Sequence, residues 1–544
     1  MRKHHVIGVD FGSDSARAII LDAYTGIEIS QAVAGYPRWQ SGLYQNARES
    51  MFRQHPLDYV EALELSVREA LAAAGQAVRE DIASISIDTT GSTPCPVDAN
   101  GTPLAMLSEF WDDPHAMFHL WKDHTAVDEA KLVSKAFREN ADGIDYTRYQ
   151  GEYSSEWFWA KILATINVSA KVRQNAYSWV EHSDWIPSML SGETRPEAMY
   201  RCACAAGHKA YWHSAWGGLP SCECLSSLDP YLEKVSRTYG KDPLPATHRL
   251  GRIAPEWADR LGLDRDVIIG GSSFDAHAGA VGAGVNERTL VINLGTSAVD
   301  LFVAKSDSLA DKNMAWAGGM AENSIIPGLT GIEAGQAAFG DALAWFKKLL
   351  LWPLEGQADE IKNQIEDSVY SRLQDAASRV SIDMAPVALD WFNARRYPYV
   401  NESVKSAITG LDMGTDAPSI YRSLVTAVVL GQKRIIESWA GEGISPDDII
   451  AVGGIAHKSP LLMQALADAL GKNVSVLATK QACARGAAMY AAVAAGLYEN
   501  LEKAQVQMRE KTIKIYRPDT ALAGKYADAY DKYLKLSSFM DARV

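Results

Sequence analysis

Short apolar runs separated by glycine and hydroxyl residues dominate the first 90 residues of this 544-residue chain. Residues 6–9 (VIGV) and 18–22 (AIILD) flank a polar turn at 12–15 (GSDS), which is the pattern of a β-hairpin. Apolar side chains at helical spacing predict a helix over residues 57–74, and residues 82–87 (IASISI) predict the next strand. A hairpin, a helix and a further strand in this order indicate an α/β fold.

The same design recurs about 285 residues later in the chain. Residues 288–299 (RTLVINLGTSAV) contain an apolar strand, a turn of glycine and hydroxyl residues, and a second apolar strand. Residues 267–271 (VIIGG) and 449–454 (IIAVGG) are strands that run into glycine turns. A repeat of this length indicates a duplicated domain.

The repeat predicts two α/β halves, residues 1–285 and 286–544, whose turns converge on a central cleft. The carboxyl ends of strands line the ligand crevice in open α/β sheets, and residues 88–94 (DTTGSTP) cluster hydroxyls at such an end. A helix predicted over residues 461–470 follows the glycine turn near 454. A strand, a glycine turn and a helix in this order suit an anion or nucleotide site.

Composition removes several classes of protein. Apolar residues make up 47% and charged residues 22%, the proportions of a globular chain. The net charge is −14 and no basic block occurs, which counts against a nucleic-acid partner. The longest apolar stretch, residues 486–498, is too short for a membrane span and predicts a buried helix. No signal peptide is evident, so we expect a cytoplasmic protein.

Six cysteines in so long a chain do not make a disulfide framework, which agrees with a reducing compartment. Four of them form two C-x-C pairs: Cys202, Cys204, Cys222 and Cys224. Four thiolates could bind zinc, which leaves a structural zinc site as an alternative. Ordinary, partly buried thiols are the favoured interpretation, because the spacing is not the usual two-residue knuckle.

Phosphate-binding motifs are tested by elimination. The P-loop pattern G-x-x-x-x-G-K-[ST] is absent, and no G-x-G-x-x-G lies between a strand and a helix at the start of a βαβ unit. The paired turns of glycine and hydroxyl residues remain as candidates. Their N–H groups carry little side-chain bulk, which suits an oxyanion or phosphate.

These turns resemble motifs of the FGGY carbohydrate kinases, which share the actin-like (ribonuclease H-like) duplicated ATPase fold. Residues 10–17 (DFGSDSAR) resemble the first phosphate motif and 294–297 (LGTS) the second. Residues 453–456 (GGIA) resemble the adenosine motif, and 274–277 (FDAH) the segment with the catalytic base. The resemblance extends from residue 6 to about residue 498 and implies two actin-like ATPase domains with a central cleft.

Longer segments are similar to those of family members that act on L-ribulose: residues 88–94, 120–125, 153–161, 206–209 and 389–393. They imply ATP-dependent phosphorylation of L-ribulose to L-ribulose 5-phosphate in arabinose catabolism. A kinase for D-ribulose, D-xylulose or ribitol is one alternative, and an actin-like ATPase switch protein is another. Glycerol is disfavoured, because Gly91, Ser92 and Ala276 differ from the residues of glycerol kinases. Whether the chain forms a homodimer is left open.

The resemblance also implies roles for three charged residues. Asp275 would be the general base, the alternative being an N-cap for the helix that follows. Asp10 would hold Mg²⁺, the alternative being an acid of the hairpin turn. Arg17 would clamp the transferred phosphoryl group, the alternative being a surface cation.

The remaining implied site residues contact the two substrates. Those for ATP are Gly12, Ser13, Gly295, Thr296, Gly340, Gly454 and Lys458. Those for the sugar are Cys95, Tyr153, Lys209, Asp275 and Glu333. Trp157 and Trp159 either pack in the core or form a wall of the sugar pocket.

Overall fold

The computed structural model describes residues 3–309, 312, 314–356, 359–478 and 481–542. Two large β-sheets flanked by helices form two lobes. Every strand of the first large sheet precedes residue 275, and every strand of the second follows residue 288. The α/β architecture with two sheet-bearing halves therefore agrees with the prediction from the repeated motif.

The first lobe contains strands and helices with the following bounds. Its strands are β1 (His5–Phe11), β2 (Ser15–Asp22), β3 (Glu28–Gly35), β4 (Gln45–Asn46), β5 (Met51–Gln54), β6 (Ile82–Thr89), β7 (Pro94–Val97), β8 (Phe118–His119), β9 (Ser178–Glu181), β10 (Arg249–Arg252) and β11 (Ile268–Phe274). Its helices are α1 (Pro37–Gln40), α2 (Pro56–Ala74), α3 (Gln76–Glu80), α4 (Val127–Arg138), α5 (Phe158–Val168), α6 (Ala170–Asn175), α7 (His182–Ser191), α8 (Ala203–Ala210), α9 (Cys222–Leu228), α10 (Pro230–Thr238), α11 (Pro255–Leu261) and α12 (Asp275–Ala283).

The rest of the chain follows the same pattern. Its strands are β12 (Thr289–Leu294), β13 (Ala298–Ala304), β14 (Gly319–Glu322), β15 (Thr330–Gln336), β16 (Val387–Ala388), β17 (Ile408–Thr409), β18 (Asp448–Val452), β19 (Val474–Leu477) and β20 (Thr512–Tyr516). Its helices are α13 (Gly340–Leu351), α14 (Asp359–Ala377), α15 (Ala417–Gly441), α16 (Gly454–Lys458), α17 (Pro460–Leu470), α18 (Ala482–Ala494), α19 (Leu501–Met508) and α20 (Ala523–Asp541).

The two large sheets share one strand arrangement. Their orders are β10-β11-β6-β1-β2-β3 and β14-β15-β13-β12-β18-β19-β20. In each sheet a hairpin is antiparallel, β1 with β2 and β12 with β13, and its first strand pairs in parallel with a later strand, β6 or β18. The predicted hairpins and the predicted duplication are confirmed at the level of the backbone.

Local sequence patterns account for the elements that carry these sheets. The apolar face predicted for the first long helix, Leu63, Val67, Ala70 and Leu71, is buried in α2. The apolar stretch at 486–498 falls largely within α18, which is buried as predicted. In the described ranges no helix combines the length and the apolar character needed to cross a membrane.

Helices α12 and α18 pack against each other between the sheets, and α18 also lies on β1, β6 and β11 of the first sheet. Glycine permits this approach, because a Cβ at Gly8 would come within 1.9 Å of the Ala484 carbonyl oxygen. Ser84 Oγ also donates a 2.6 Å hydrogen bond to Ala491 O. A late helix therefore binds the first sheet, and the division at 285/286 stays a prediction.

Candidate active site

Three carboxylates meet at the carboxyl ends of adjacent parallel strands. The register of β1 and β6 sets Asp10 opposite Asp88, and that of β6 and β11 sets Asp88 opposite Ser273. Asp275 follows β11 as the first residue of α12. Because strand ends of an open α/β sheet line its ligand crevice, these carboxylates define one wall of the cleft.

Asp275 does not cap the helix that follows it. The N-cap residue of α12 is Phe274, so the alternative interpretation of Asp275 as an N-cap is wrong. Its Oδ1 accepts a 2.6 Å hydrogen bond from the Ala276 N–H. Withdrawal from water, together with the negative charge of Asp10, raises the pKa of Asp275 to about 7. A carboxylate of this pKa is suited to accept a proton from a hydroxyl near neutral pH.

Asp88 is a candidate that reasoning from the sequence did not assign. It is fully buried, and neither carboxyl oxygen has a hydrogen-bond donor among the described residues. Burial and the charges of Asp10 and Asp275 raise its pKa well above the ordinary value. Burial also raises the pKa of Asp10. The available signal was an acid at the end of an apolar strand, as at Asp10.

Arg17 faces this carboxylate group across the first hairpin. The strand register pairs Arg17 with Asp10, and Arg17 Nη1 lies 3.5 Å from Asp10 Oδ2. The side chain is 30% exposed, and its Nε is buried without a partner among the described residues. The alternative of an ordinary surface cation does not describe this position. A guanidinium with free N–H groups in a cleft can bind a phosphoryl group.

Polar contacts fix the β1–β2 turn. The Gly12 N–H donates to Ser15 O at 2.9 Å. Trp121 Nε1 donates to Ser13 Oγ at 3.0 Å, and Gln54 Nε2 donates to Ser13 O at 2.7 Å. The turn is therefore rigid before a ligand binds, which a site for phosphate oxygens requires.

The β12–β13 turn meets the start of α13. The Gly340 N–H donates to Gly295 O at 3.2 Å, and the Asp341 N–H donates to Thr296 O at 3.1 Å. A Cβ at position 340 would come within 2.5 Å of Gly295 O and within 2.7 Å of Ile455 Cδ1. Three residues predicted to bind ATP thus converge beside the predicted adenosine motif.

That motif forms the short helix α16 directly after β18. Gly454 is exposed, and a Cβ there would meet no atom within 4 Å. Lys458 is exposed at the end of the helix, and its carbonyl oxygen accepts a 3.3 Å hydrogen bond from Gln374 Nε2. Because α16 packs beside β12, both residues border the second turn, and their nucleotide contacts stay predictions.

Substituting Gly340 by Ala should weaken ATP binding. The added methyl group would collide with the Gly295 carbonyl and displace the second turn. Overpacking costs about 1–3 kcal/mol, which corresponds to a rise of about 5- to 150-fold in the KM for ATP. Steady-state kinetics at saturating sugar measures this change. The matched control is Gly524→Ala, where a Cβ meets no atom within 4 Å; an unchanged KM in G340A would contradict the assignment.

An ion pair joins the two lobes beside the carboxylates. Lys209 on α8 places its Nζ 3.6 Å from Oε1 of Glu333 on β15. The Lys209 side chain is 7% exposed, and its Nζ lies 5.0 Å from the centre of the Trp157 ring. Withdrawal from water would raise the pKa of Glu333, but neighbouring positive charges, that of Lys209 first among them, outweigh it and lower the pKa to about 2. Glu333 can therefore accept hydrogen bonds from a polyhydroxylated ligand as a carboxylate, and the Lys209 Nζ beside it can donate them.

The other aromatic and sugar candidates differ in position. Tyr153 donates its hydroxyl hydrogen to the Lys209 carbonyl oxygen and accepts a 2.9 Å hydrogen bond from the Trp159 N–H. Trp159 is fully buried, so it is a core residue, whereas Trp157 lies against the Lys209 ammonium. Cys95 is fully buried in β7, within the apolar core of the first lobe. Tyr153 thus contacts the Lys209 backbone, and direct sugar contacts of Tyr153 and Cys95 stay predictions.

The two C-x-C pairs do not form a common metal site. All six cysteines are free thiols. Within the described ranges, two groups of side chains could hold a metal ion: Cys204 with His208 and His277, and His4 with His5 and Asp22. Each contains at most one of the four paired cysteines, so the zinc alternative drawn from their spacing is wrong.

Known proteins are similar to this chain in both sequence and fold. Residues 290–495 match the C-terminal domain of the FGGY family of carbohydrate kinases. A ribulokinase of Vibrio parahaemolyticus is 41% identical over 547 residues, which cover 99% of this chain and 96% of the relative. The chain belongs to the FGGY family of carbohydrate kinases.

Further FGGY relatives agree over the full length. A ribulokinase of Halalkalibacterium halodurans is 32% identical over 554 residues, covering 99% of this chain and 95% of the relative. The crystal structure of xylulose kinase from Rhodospirillum rubrum superposes with a TM-score of 0.80 at 20% identity and covers 99% of both chains. The predicted two-domain, actin-like fold of an FGGY kinase is thereby confirmed.

Proposed function

We propose that this FGGY kinase transfers the γ-phosphoryl group of ATP to the terminal hydroxyl of L-ribulose, giving L-ribulose 5-phosphate. Ribulokinases at 41% and 32% identity over 99% of the chain support this sugar among those the family uses. The observation that carries the chemistry is the convergence of Asp275, Glu333 and Lys209 in the cleft, where their charges act on one another. A pentulose offers the row of hydroxyls that such a pair of opposite charges can bind.

In the proposed reaction, Asp275 accepts the proton of the attacking hydroxyl as that oxygen bonds to the γ-phosphorus and the bond to the β-phosphate oxygen breaks. Arg17 hydrogen-bonds the transferred group and offsets the charge that develops on it. Lys209 and Glu333 orient the sugar so that its terminal oxygen lies in line with the breaking bond. Because these two residues belong to different lobes, approach of the lobes would align the sugar and exclude water.

The carboxylates fit a divalent cation. Both Asp88 oxygens are buried without a donor among the described residues, and Asp10 faces Asp88 across the strand pair. Hard cations such as Mg²⁺ prefer carboxylate oxygen ligands, so Asp10 and Asp88 would hold the ion. When bound with ATP, Mg²⁺ supplies positive charge against the phosphates.

The pH dependence of sugar phosphorylation should follow the protonation of the Asp275 carboxyl group. Because the raised pKa leaves this carboxyl group protonated below about pH 7, the base is lost as the pH falls. We expect kcat/KM for the sugar to fall about tenfold per pH unit below that point and to level off above it. A pH–rate profile measures this change. A profile that stays flat from about pH 5 to about pH 8 would contradict the assigned base.

The substrate assignment is tested by phosphorylation of L-ribulose, D-ribulose, D-xylulose and ribitol under identical conditions. The highest kcat/KM is expected for L-ribulose. Poor turnover of both ribuloses would favour the alternative of another pentulose or pentitol kinase. An ATPase rate that no sugar changes would favour the alternative of an actin-like ATPase switch. L-Ribulose analogues lacking single hydroxyls then report which hydroxyls contribute to binding.

Location and assembly belong to the same proposal. A cytoplasmic enzyme agrees with six free thiols, all of them within the described residues. The reaction needs ATP and a small sugar and requires neither nucleic acid nor a membrane. Homodimer formation stays a prediction that light scattering of the purified chain measures.

A further inference from the structure

Three side chains with metal-binding atoms converge beside the candidate sugar pocket. Cys204 and His208 lie on α8, and His277 lies on α12. One ligand atom of each lies within 4.8 Å of the other two. All three residues are buried, with exposed fractions of 2%, 1% and 1%. The position of Cys204 four residues before His208 places both on one face of α8.

The hydrogen bonds of His208 orient it as a ligand. Gln150 Nε2 donates to Met320 O, so the Gln150 amide oxygen is directed at His208 Nδ1, 3.3 Å away. His208 Nδ1 must therefore carry the hydrogen, which leaves a lone pair on Nε2. Ser324 Oγ, 3.2 Å from that atom, is the donor that a metal ion would replace, and its hydroxyl can donate to Ala321 O instead. A histidine whose second N–H is held by a carbonyl oxygen is the usual arrangement around a bound metal.

His277 differs from His208 in its hydrogen bonding. Neither ring nitrogen has a hydrogen-bond partner among the described residues. Metal ions bind the neutral form of an imidazole ring. The Glu333 Oε2 atom lies within ion-pair distance of His277, 3.5 Å from its Nε2. A buried imidazole that forms no hydrogen bond is costly unless something binds it.

We propose that Cys204, His208 and His277 form a three-residue binding site for one Zn²⁺ ion, with the fourth position left to water. Binding releases the proton of the Cys204 thiol, and the resulting thiolate and the two neutral imidazoles each donate an electron pair to the metal. One thiolate and two imidazoles suit Zn²⁺, whereas Mg²⁺ prefers oxygen ligands. Zinc bonds of about 2.0–2.3 Å require the three ligand atoms, which lie within 4.8 Å of one another, to approach more closely when the ion binds.

This site is separate from the one proposed for Mg²⁺ at Asp10 and Asp88, and it does not depend on which sugar the enzyme uses. Metal binding at this site is measured on the full chain without sugar or nucleotide. The chain offers a second group at His4, His5 and Asp22, so metal content alone does not identify the site. Co²⁺ serves as the spectroscopic probe, because only a thiolate ligand gives a sulfur-to-cobalt charge-transfer band.

The test titrates metal-free full-length chain with Co²⁺ and then displaces Co²⁺ with Zn²⁺ in excess Mg²⁺. We expect one equivalent of Co²⁺ to give tetrahedral visible bands and the charge-transfer band, and Zn²⁺ to remove both. Cys204→Ala should abolish the charge-transfer band and weaken Zn²⁺ binding by at least about 100-fold, since even residues behind metal ligands contribute 10–100-fold. The matched control is Cys202→Ala, a buried cysteine two positions away that should leave the spectrum unchanged.

A second variant guards against misfolding of the cysteine variant. His277 makes no hydrogen bond in the described structure, so His277→Gln should fold normally by circular dichroism. It should lose the tetrahedral spectrum and weaken Zn²⁺ binding to the same extent as Cys204→Ala. The proposal is overturned if the unmodified chain shows no charge-transfer band, if the band persists in C204A, or if H277Q binds Zn²⁺ as tightly as the unmodified chain.

Discussion

Replacing Asp275 by Asn lowers kcat for sugar phosphorylation by about 10²- to 10⁴-fold, the contribution expected of a general base. Asparagine keeps the shape of the side chain but cannot accept the proton of the attacking hydroxyl. Asp275 starts α12 at the carboxyl end of β11, with a pKa of about 7 that fits this task. Initial rates at saturating ATP and sugar give kcat, and the pH dependence below about pH 7 should disappear from the residual activity.

The control for this variant is Asp264→Asn. Asp264 is an exposed acid that forms an ion pair with Lys3. The D264N enzyme should keep full activity. Sugar binding to D275N, measured by calorimetry, should remain within about tenfold of the unmodified enzyme, because the proposed sugar contacts of Lys209 and Glu333 are left in place. A D275N enzyme with unchanged kcat would refute the mechanism, whereas lost sugar binding with normal kcat would make Asp275 a binding residue.

Replacing Arg17 by Met should lower kcat by about 10²- to 10³-fold, the loss typical of removing one group that stabilises a developing negative charge. Arg17 lies 3.5 Å from Asp10 and presents a buried Nε without a partner among the described residues. The proposed interaction of Arg17 with the phosphoryl group should strengthen as charge develops, so the KM for the sugar should change little. Rates at saturating substrates, together with both KM values, separate the two effects.

Two further variants sharpen the Arg17 experiment. Arg17→Lys keeps the charge but loses the planar fork, so it should recover part of the lost rate. Arg68→Met removes an exposed arginine that pairs with Glu64 on the surface and should behave as the unmodified enzyme. If R17M raised only the KM for ATP, Arg17 would act in ground-state nucleotide binding and not in stabilising the transition state.

Local pattern was sufficient for many elements and for the loops that bear the motifs. The hairpins at β1–β2 and β12–β13, the helix α2 and the glycine turn before α16 follow from periodicity and turn chemistry. The sequence also indicated the family of the chain, because the motifs at Asp10, Gly295 and Gly454 are each short runs of contiguous residues. Such signals survive in sequence since each depends on side chains only a few positions apart.

Strand register determines contacts that the local sequence pattern cannot predict. The sequence places Asp88 at the end of a strand, but only the parallel pairing of β1 and β6 shows that it lies opposite Asp10. The Lys209–Glu333 pair joins residues on different lobes, and spacing in sequence carries no information about that distance. The same holds for the four cysteines: the metal-capable group in the described residues joins Cys204 to two histidines and contains none of the other three.

The sequence by itself therefore determined the repeated α/β units, their phosphate-type turns and the kinase family. The tertiary structure alone decided which carboxylates share a cleft, which lysine pairs with which glutamate, and that α18 packs on the first sheet. The physical reason is that periodicity and turn chemistry act over a few residues. Contacts between distant segments depend on sheet order, register and the close packing of the whole chain.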